Sequence, residues 1–466
     1  MNKLFKQMKG IIKIEYIILS LILILGFAVR LYKIDSPVAD WHSWRQADTA
    51  AVSRNYLKNG IDLINPKFDD ISSIQSGKDN PSGIRMVEFP IYNLLHVTIY
   101  NLFSGQLSLS FESWGRVTTA IISIISAVFV FLLARRHYGL NVALIASAIF
   151  VFLPFNIYFS RVILPDPLGV MFGLIGLYLY SKNLIFSALF FSLAILQKPY
   201  LGFFLFPLIP EFLKVEKIKK HILFFAIIGL PFLFWRYRTG LNPEGIPFYK
   251  WAFNGDLIRF HPAWFRWIFG ERIGILILGV GGVAAFVLGL INDRKKFSWL
   301  FNLGAIFYLT AVATANVRHD YYQILIIPAL AIASAIGINL LFNKSKVITF
   351  IVVVTMLLIG WDKVKPFYQV NHPELITIGR FVDQSLPKDA KVVAPYNGDT
   401  AFLYQMNRKG WPAVDDSIDG LIKRGATHYV SLDKNSPDSL NFSLRFEKIK
   451  DESNFIILDL KKDKKK

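Results

Sequence analysis

Ten residues, Asp40-Trp-His-Ser-Trp-Arg-Gln-Ala-Asp-Thr49, bring two carboxylates, an arginine, a histidine and two tryptophans together just after the first apolar run. Chemistry on a lipid-borne substrate needs charged groups at a membrane surface, beside an apolar wall, and this stretch supplies them. Apolar spacing predicts a helix over 44–58. Arg45 and Asp48 are three residues apart, so they share a face of it. The plainer alternative is an ion pair on a surface helix, since many such pairs are only solvated.

The composition says what must position these groups. Of 466 residues, 53% are hydrophobic, 41 are Phe and only 18% are charged. A soluble chain of this length would expose too much apolar surface, so the sequence reads as a polytopic membrane protein. The net charge of +19, from 52 Lys+Arg against 33 Asp+Glu, suggests cytoplasmic loops and anionic headgroups, with no nucleic-acid partner. With no cysteine, disulfides, thiolate catalysis and cysteine-ligated metals are excluded.

About eleven apolar segments approach the length of a span. They cover 15–32, 114–134, 140–159, 167–180, 184–196, 200–213, 221–237, 273–291, 299–315, 322–342 and 347–361. The first follows Lys3, Lys6, Lys9 and Lys13 and has no small-residue cleavage site, so it reads as an uncleaved anchor. The short loops at 135–137, 181–182, 214–220, 293–296 and 343–346 are basic and read as cytoplasmic. That places the N-terminus in the cytoplasm and the long loops and C-terminus outside, in a multi-pass plasma (inner) membrane protein. Arg30, Arg116, Arg161 and Lys198 lie at segment ends, leaving the apolar cores almost free of ionisable groups. A proton- or sodium-coupled transporter usually carries acids or histidines at mid-depth, so that class is disfavoured.

Residues 34–113 form a long first outer loop with an interfacial helix at 90–103. After residue 362 helical and strand patterns alternate: helices at 374–385, 399–406 and 416–424, strands at 390–395, 427–432, 444–449 and 455–460, and a basic tail. The expected division is therefore a membrane domain, 1–362, and a small soluble α/β domain, 363–466.

Five stretches resemble the GT-C class of integral-membrane glycosyltransferases, in the branch of protein O-mannosyltransferases and lipid A aminoarabinose transferases. They are His42-Ser-Trp-Arg-Gln-Ala-Asp-Thr-Ala50 with Ser53-Arg-Asn-Tyr-Leu57; Glu88-Phe-Pro-Ile-Tyr-Asn93; Tyr158-Phe-Ser-Arg-Val-Ile-Leu-Pro-Asp-Pro167; Gln197-Lys-Pro199; and Val317-Arg-His-Asp-Tyr-Tyr322. Their order and common side carry the resemblance over residues 15–342. It implies transfer of a sugar from a polyprenyl-phosphate donor to an acceptor hydroxyl on a lipid, glycan or protein, at the outer face. It also implies an acidic first-loop base and a divalent metal. The chain departs from the pattern: the family's adjacent acidic pair falls at Arg45-Gln46, and its phosphate-binding lysine at Glu88.

Inverting transfer needs one carboxylate to take the acceptor's proton, and cations to stabilise the departing phosphate. Asp48 is the first choice of base and Asp40 the second, with a helix cap as the alternative role of Asp40. Asp166, between two prolines, is a further catalytic or metal-ligating candidate. Arg45, Arg54, Arg161, Lys198 and Arg318 are candidate phosphate ligands, each with a snorkelling interfacial cation as its alternative. His42, Trp44, Glu88, His319 and Tyr321 are candidates to line the cavity, and His42, Glu88 and Asp166 are the possible metal ligands. The competing classes are a polyprenyl-lipid flippase and a non-catalytic envelope scaffold.

Overall fold

The computed structural model describes residues 14–464, so Lys3, Lys6, Lys9 and Lys13 lie outside the described residues. Contacts divide the chain into two compact units. One gathers the chain up to residue 34 with 116–234 and 249–367; the other gathers 35–115, 235–248 and 368–466. The first loop and the C-terminal segment therefore share a unit.

The first unit is helical, and every apolar segment read from the sequence is helical in it. Among the described residues, four helices are long and apolar enough to cross a membrane: Phe111–Tyr138, Val215–Gly240, Asp320–Lys344 and Lys346–Tyr368. Pro262–Ile277 and Gly281–Ile291 pass together but are bent by 111°. Five more apolar helices have 10–17 residues. By length alone, then, four or five of the described helices can each cross a membrane.

The shortening has local causes. Leu153 and Lys198 are extended, as residues before proline prefer to be, and each ends a helix. At the sharp bend Gly279 has φ 53°, and a Cβ there would sit 2.2 Å from the Met356 carbonyl oxygen. Gly289 and Gly337 bring helices Gly281–Ile291 and Ile327–Lys344 into backbone contact: an added Cβ on either would lie 1.8 Å from a carbonyl oxygen of the other helix. Leu230, Leu233, Phe350 and Leu358 are more than 60% exposed on two of the long helices. Apolar faces of this kind belong in lipid, and the chain is an integral membrane protein.

In the second unit, helix Ser43–Asn59 is buried along most of its length. Ala47, Ala50 and Ala51 let neighbours approach it closely. Asn93, on helix Ile91–Phe103, donates to the Thr49 carbonyl at 2.7 Å and to Ser53 Oγ at 3.0 Å, which fixes the two helices together.

The C-terminal segment builds a five-stranded sheet: β1 Val392–Val393, β2 Gly410–Trp411, β3 His428–Ser431, β4 Phe446–Asp451 and β5 Ile456–Asp463. Its order is β2-β1-β3-β5-β4. β1 pairs in parallel with β2 and β3, and β5 antiparallel with β3 and β4. Strand alternation sends Val392 and Ile457 into one apolar cluster, and Val393 and Leu458 into another. Helices Glu374–Ser385, Ala401–Met406, Ile418–Lys423 and Pro437–Arg445 accompany the sheet. Gly410 exchanges backbone hydrogen bonds with Asp69 and Ile71 of the first loop, so that loop covers the β2 edge. Strand β2 was not among the strands expected from sequence, and two further details differ. The helix Pro437–Arg445 was not anticipated, and β5 runs through Lys461 and Lys462, which the sequence reading left in a solvated tail.

Candidate active site

The motif residues of the second unit gather around the start of helix Ser43–Asn59. His42 precedes it in a left-handed conformation, φ 55°, which costs a non-glycine residue about 1 kcal/mol. Such strain, held by the surrounding fold, turns the chain so that Trp41 is 40% exposed while Arg45, Gln46 and Asp48 are buried. Trp44 sits half-buried on the first turn. Asp40 does not cap the helix. Its Oδ1 accepts from Gln46 Nε2 at 2.7 Å.

Arg45 and Asp48 do not pair with each other. Arg45 binds Glu88, and Asp48 binds Arg85 at 2.8 Å. Asp48 Oδ1 also accepts from Thr400 Oγ1 at 2.7 Å. Asp48 is 0% exposed. Arg85, 6% exposed, donates further to Gln75 Oε1 at 2.7 Å and lies over the Phe68 ring. Burial pushes the Arg85 guanidinium down, against the pull of Asp48. The sequence reading missed Arg85 and Thr400. Arg85 stands three residues before Glu88, a weak local signal; Thr400 gives none.

Two more carboxylates, buried Asp70 and half-buried Asp399, lie within the field of Asp48. Burial raises each to about 6, and the Asp48 charge adds to both. A carboxyl raised from 3.8 to about 6 binds its proton more tightly folded than unfolded, so its contribution to stability is present below pH ~4 and lost as pH rises through ~6. Asp70→Asn is therefore expected to raise the unfolding temperature at pH 7.5 and leave it unchanged at pH 4. Thermal unfolding at the two values checks this; an equal shift at both would contradict it.

Arg54 already has protein partners. It is tied to Asp69 at 2.5 Å and to the Tyr404 carbonyl at 2.9 Å, with its guanidinium over the Tyr404 ring. Tyr404 in turn donates to Glu112 at 2.7 Å. This cation holds the first loop to the C-terminal segment.

In the first unit the other motifs meet. Asp166 opens helix Asp166–Leu179, and Lys198 ends helix Leu184–Gln197. Lys198 Nζ is 3.0 Å from Asp166 Oδ1 and lies near the Tyr321 and Tyr322 rings. His319 stacks on both tyrosines. Arg161, fully buried, donates to the Lys33 carbonyl at 2.8 Å. Arg318 departs from the set: it is exposed and pairs with Asp256 at 3.4 Å.

A resident metal does not fit these side chains. Among the described residues no three His, Asp or Glu side chains gather into a cation site. Glu88 is held by Arg45, Asp166 by Lys198, and His42 packs against Trp41.

A buried acid–cation cluster, on a membrane-embedded helical scaffold, is the setting of a group-transfer enzyme. The comparisons agree. Residues 79–237 match the model of the Alg9-like mannosyltransferase family. The fold is similar to that of ArnT from Cupriavidus metallidurans bound to undecaprenyl phosphate, with TM-score 0.66 at 15% identity, covering 94% of this chain and 97% of that one. It is also similar to the Archaeoglobus fulgidus oligosaccharyltransferase complexed with Zn and sulfate (TM-score 0.55, 11% identity, 88% of this chain and 67% of that one). The archaeal oligosaccharyltransferase AglB with an inhibitory peptide and a dolichol-phosphate gives TM-score 0.53 at 10% identity, over 89% and 69%. No curated protein matches in sequence. The family match thus covers about a third of the chain, and the shared fold is that of these membrane proteins.

Proposed function

We propose that the protein moves a sugar, mannose being favoured by the family match, from a polyprenyl-phosphate donor to a hydroxyl of a lipid, glycan or protein acceptor at the extracytoplasmic face. The observation that carries this reading is the cluster of Asp40, Arg45, Asp48, Arg85 and Glu88 at one helix start, in a chain with the ArnT fold. The similar structures were solved with undecaprenyl phosphate and with a dolichol-phosphate, which supports a lipid-linked donor.

The pairing of Asp48 supports Asp40 before it as the base. Asp48 is closed off, with a cation on one oxygen and a hydroxyl on the other. It acts as the anchor that positions the helix start. Asp40 is also buried, at 4% exposure, but it adjoins exposed Trp41 and the strained His42. Asp40 takes the hydroxyl proton, and the oxygen attacks the anomeric carbon as the phosphate leaves. The departing phosphate needs cations that hold it and disperse its charge, since cations aimed at developing charge lower the barrier. Trp41 and Trp44 stack on the sugar. The direct test is transfer of labelled sugar from a polyprenyl-phosphate donor by the purified protein, with loss of transfer in Asp40→Asn.

The orientation is tested separately. Asn435 and Lys295 are both exposed in a chain without cysteine. In intact cells an impermeant maleimide is expected to label Asn435→Cys, and to label Lys295→Cys only after permeabilisation. The reverse pattern would invert the topology.

A further inference from the structure

One cavity in the first unit lies apart from the Asp166–Lys198 pair. It reaches Leu177 and Tyr180, at the far end of the helix that Asp166 opens. At about 1.5 Å per residue that is roughly 20 Å away from Asp166. The cavity has a volume of about 570 Å³. Leu177, Leu208 and Phe297 supply apolar wall, and Arg136, Lys217 and Lys220 supply positive charge. The single acid on its lining, Glu211, is bound by Lys214 at 2.6 Å and Lys217 at 2.8 Å, so cations outnumber it.

His221 gives this cavity a direction. It lines the space and is 5% exposed, yet its buried Nε2 has no hydrogen-bond partner. A buried polar atom left unpaired costs about 1–3 kcal/mol, so it points to something that binds there. Its ring is fixed edge-on against Phe212. Leu213, Val215 and Ile222, neighbours of these groups in the chain, are 75%, 79% and 63% exposed. Cations beside exposed apolar side chains mark the level where headgroups meet acyl chains.

We propose that this cavity binds the phosphate of an anionic membrane lipid. Arg136, Lys217 and Lys220 surround the phosphate, and His221 donates to it from Nε2. Leu177, Leu208 and Phe297 cover the first methylenes. The site is independent of sugar transfer and stands whether or not that reading holds.

Ser181 lies on the cavity wall and is exposed, so Ser181→Cys carries one fluorophore in this cysteine-free chain. The full-length labelled protein is titrated with dioctanoyl-phosphatidylglycerol, dioctanoyl-phosphatidylcholine and inorganic phosphate. A saturable response to phosphatidylglycerol is expected, weaker for phosphatidylcholine. Lys220→Gln, at an exposed position, should weaken phosphatidylglycerol about tenfold by removing a charge-assisted contact. His221→Phe keeps the ring and loses the donor, and should weaken it similarly with an unchanged unfolding temperature. Equal responses to both lipids, insensitive to Lys220→Gln, would reduce the site to an apolar crevice and overturn the proposal. Inorganic phosphate that saturates the response and displaces the lipid would overturn the lipid assignment.

Discussion

Asp40→Asn is expected to lower sugar transfer by roughly 10²–10⁴-fold while leaving donor affinity and unfolding temperature near those of the parent protein. The substitution keeps the shape and the hydrogen bond to Gln46, and removes only the capacity to take a proton. The substitution removes no cation, so donor binding should persist. Turnover and donor binding are measured on the same preparation. A variant that binds the donor normally and turns over normally would remove Asp40 from the chemistry.

The second large effect falls on stability. Arg85→Ala leaves Asp48, wholly buried, without its cation. Breaking a buried pair by removing one partner typically costs about 3–5 kcal/mol. The remaining bond from Thr400 offsets only part of this. Replacing both partners, as Asp48→Leu with Arg85→Met, should recover much of the loss, because no uncompensated charge stays buried. Unfolding temperatures of the single and double variants give the answer. The double variant should fold yet transfer poorly, since the helix start that carries Asp40 has lost its anchor. Equal stability of Arg85→Ala and the parent would make the pair incidental.

These two experiments separate roles that the sequence left merged. Residues 40–49 announced a site through their types alone, and the helix expected at 44–58 is Ser43–Asn59. Asp166 and Lys198 were legible as motifs and do meet. Partners were harder to read. Spacing put Arg45 beside Asp48 on one helix face, but Glu88 and Arg85, outside that helix, offer buried ion pairs instead. Thr400 reaches Asp48 from 352 residues away, and no local pattern carries that contact. Arg54 looked like a phosphate ligand because its pairing with Asp69 and Tyr404 depends on tertiary packing. Arg318 shared a motif with His319 and Tyr321 but turned to the surface. Apolar length in sequence does not register the helix breaks at Leu153, Lys198 and Gly279.

The most direct test of the account follows the sugar itself. Purified protein in lipid nanodiscs receives polyprenyl-phosphate mannose carrying a labelled sugar, with a membrane lipid and glycan extract as acceptor. The account predicts that label moves onto an acceptor hydroxyl, that free polyprenyl phosphate accumulates with it, and that Asp40→Asn abolishes both. Label that stays on an intact donor while the protein carries that donor between leaflets would contradict it.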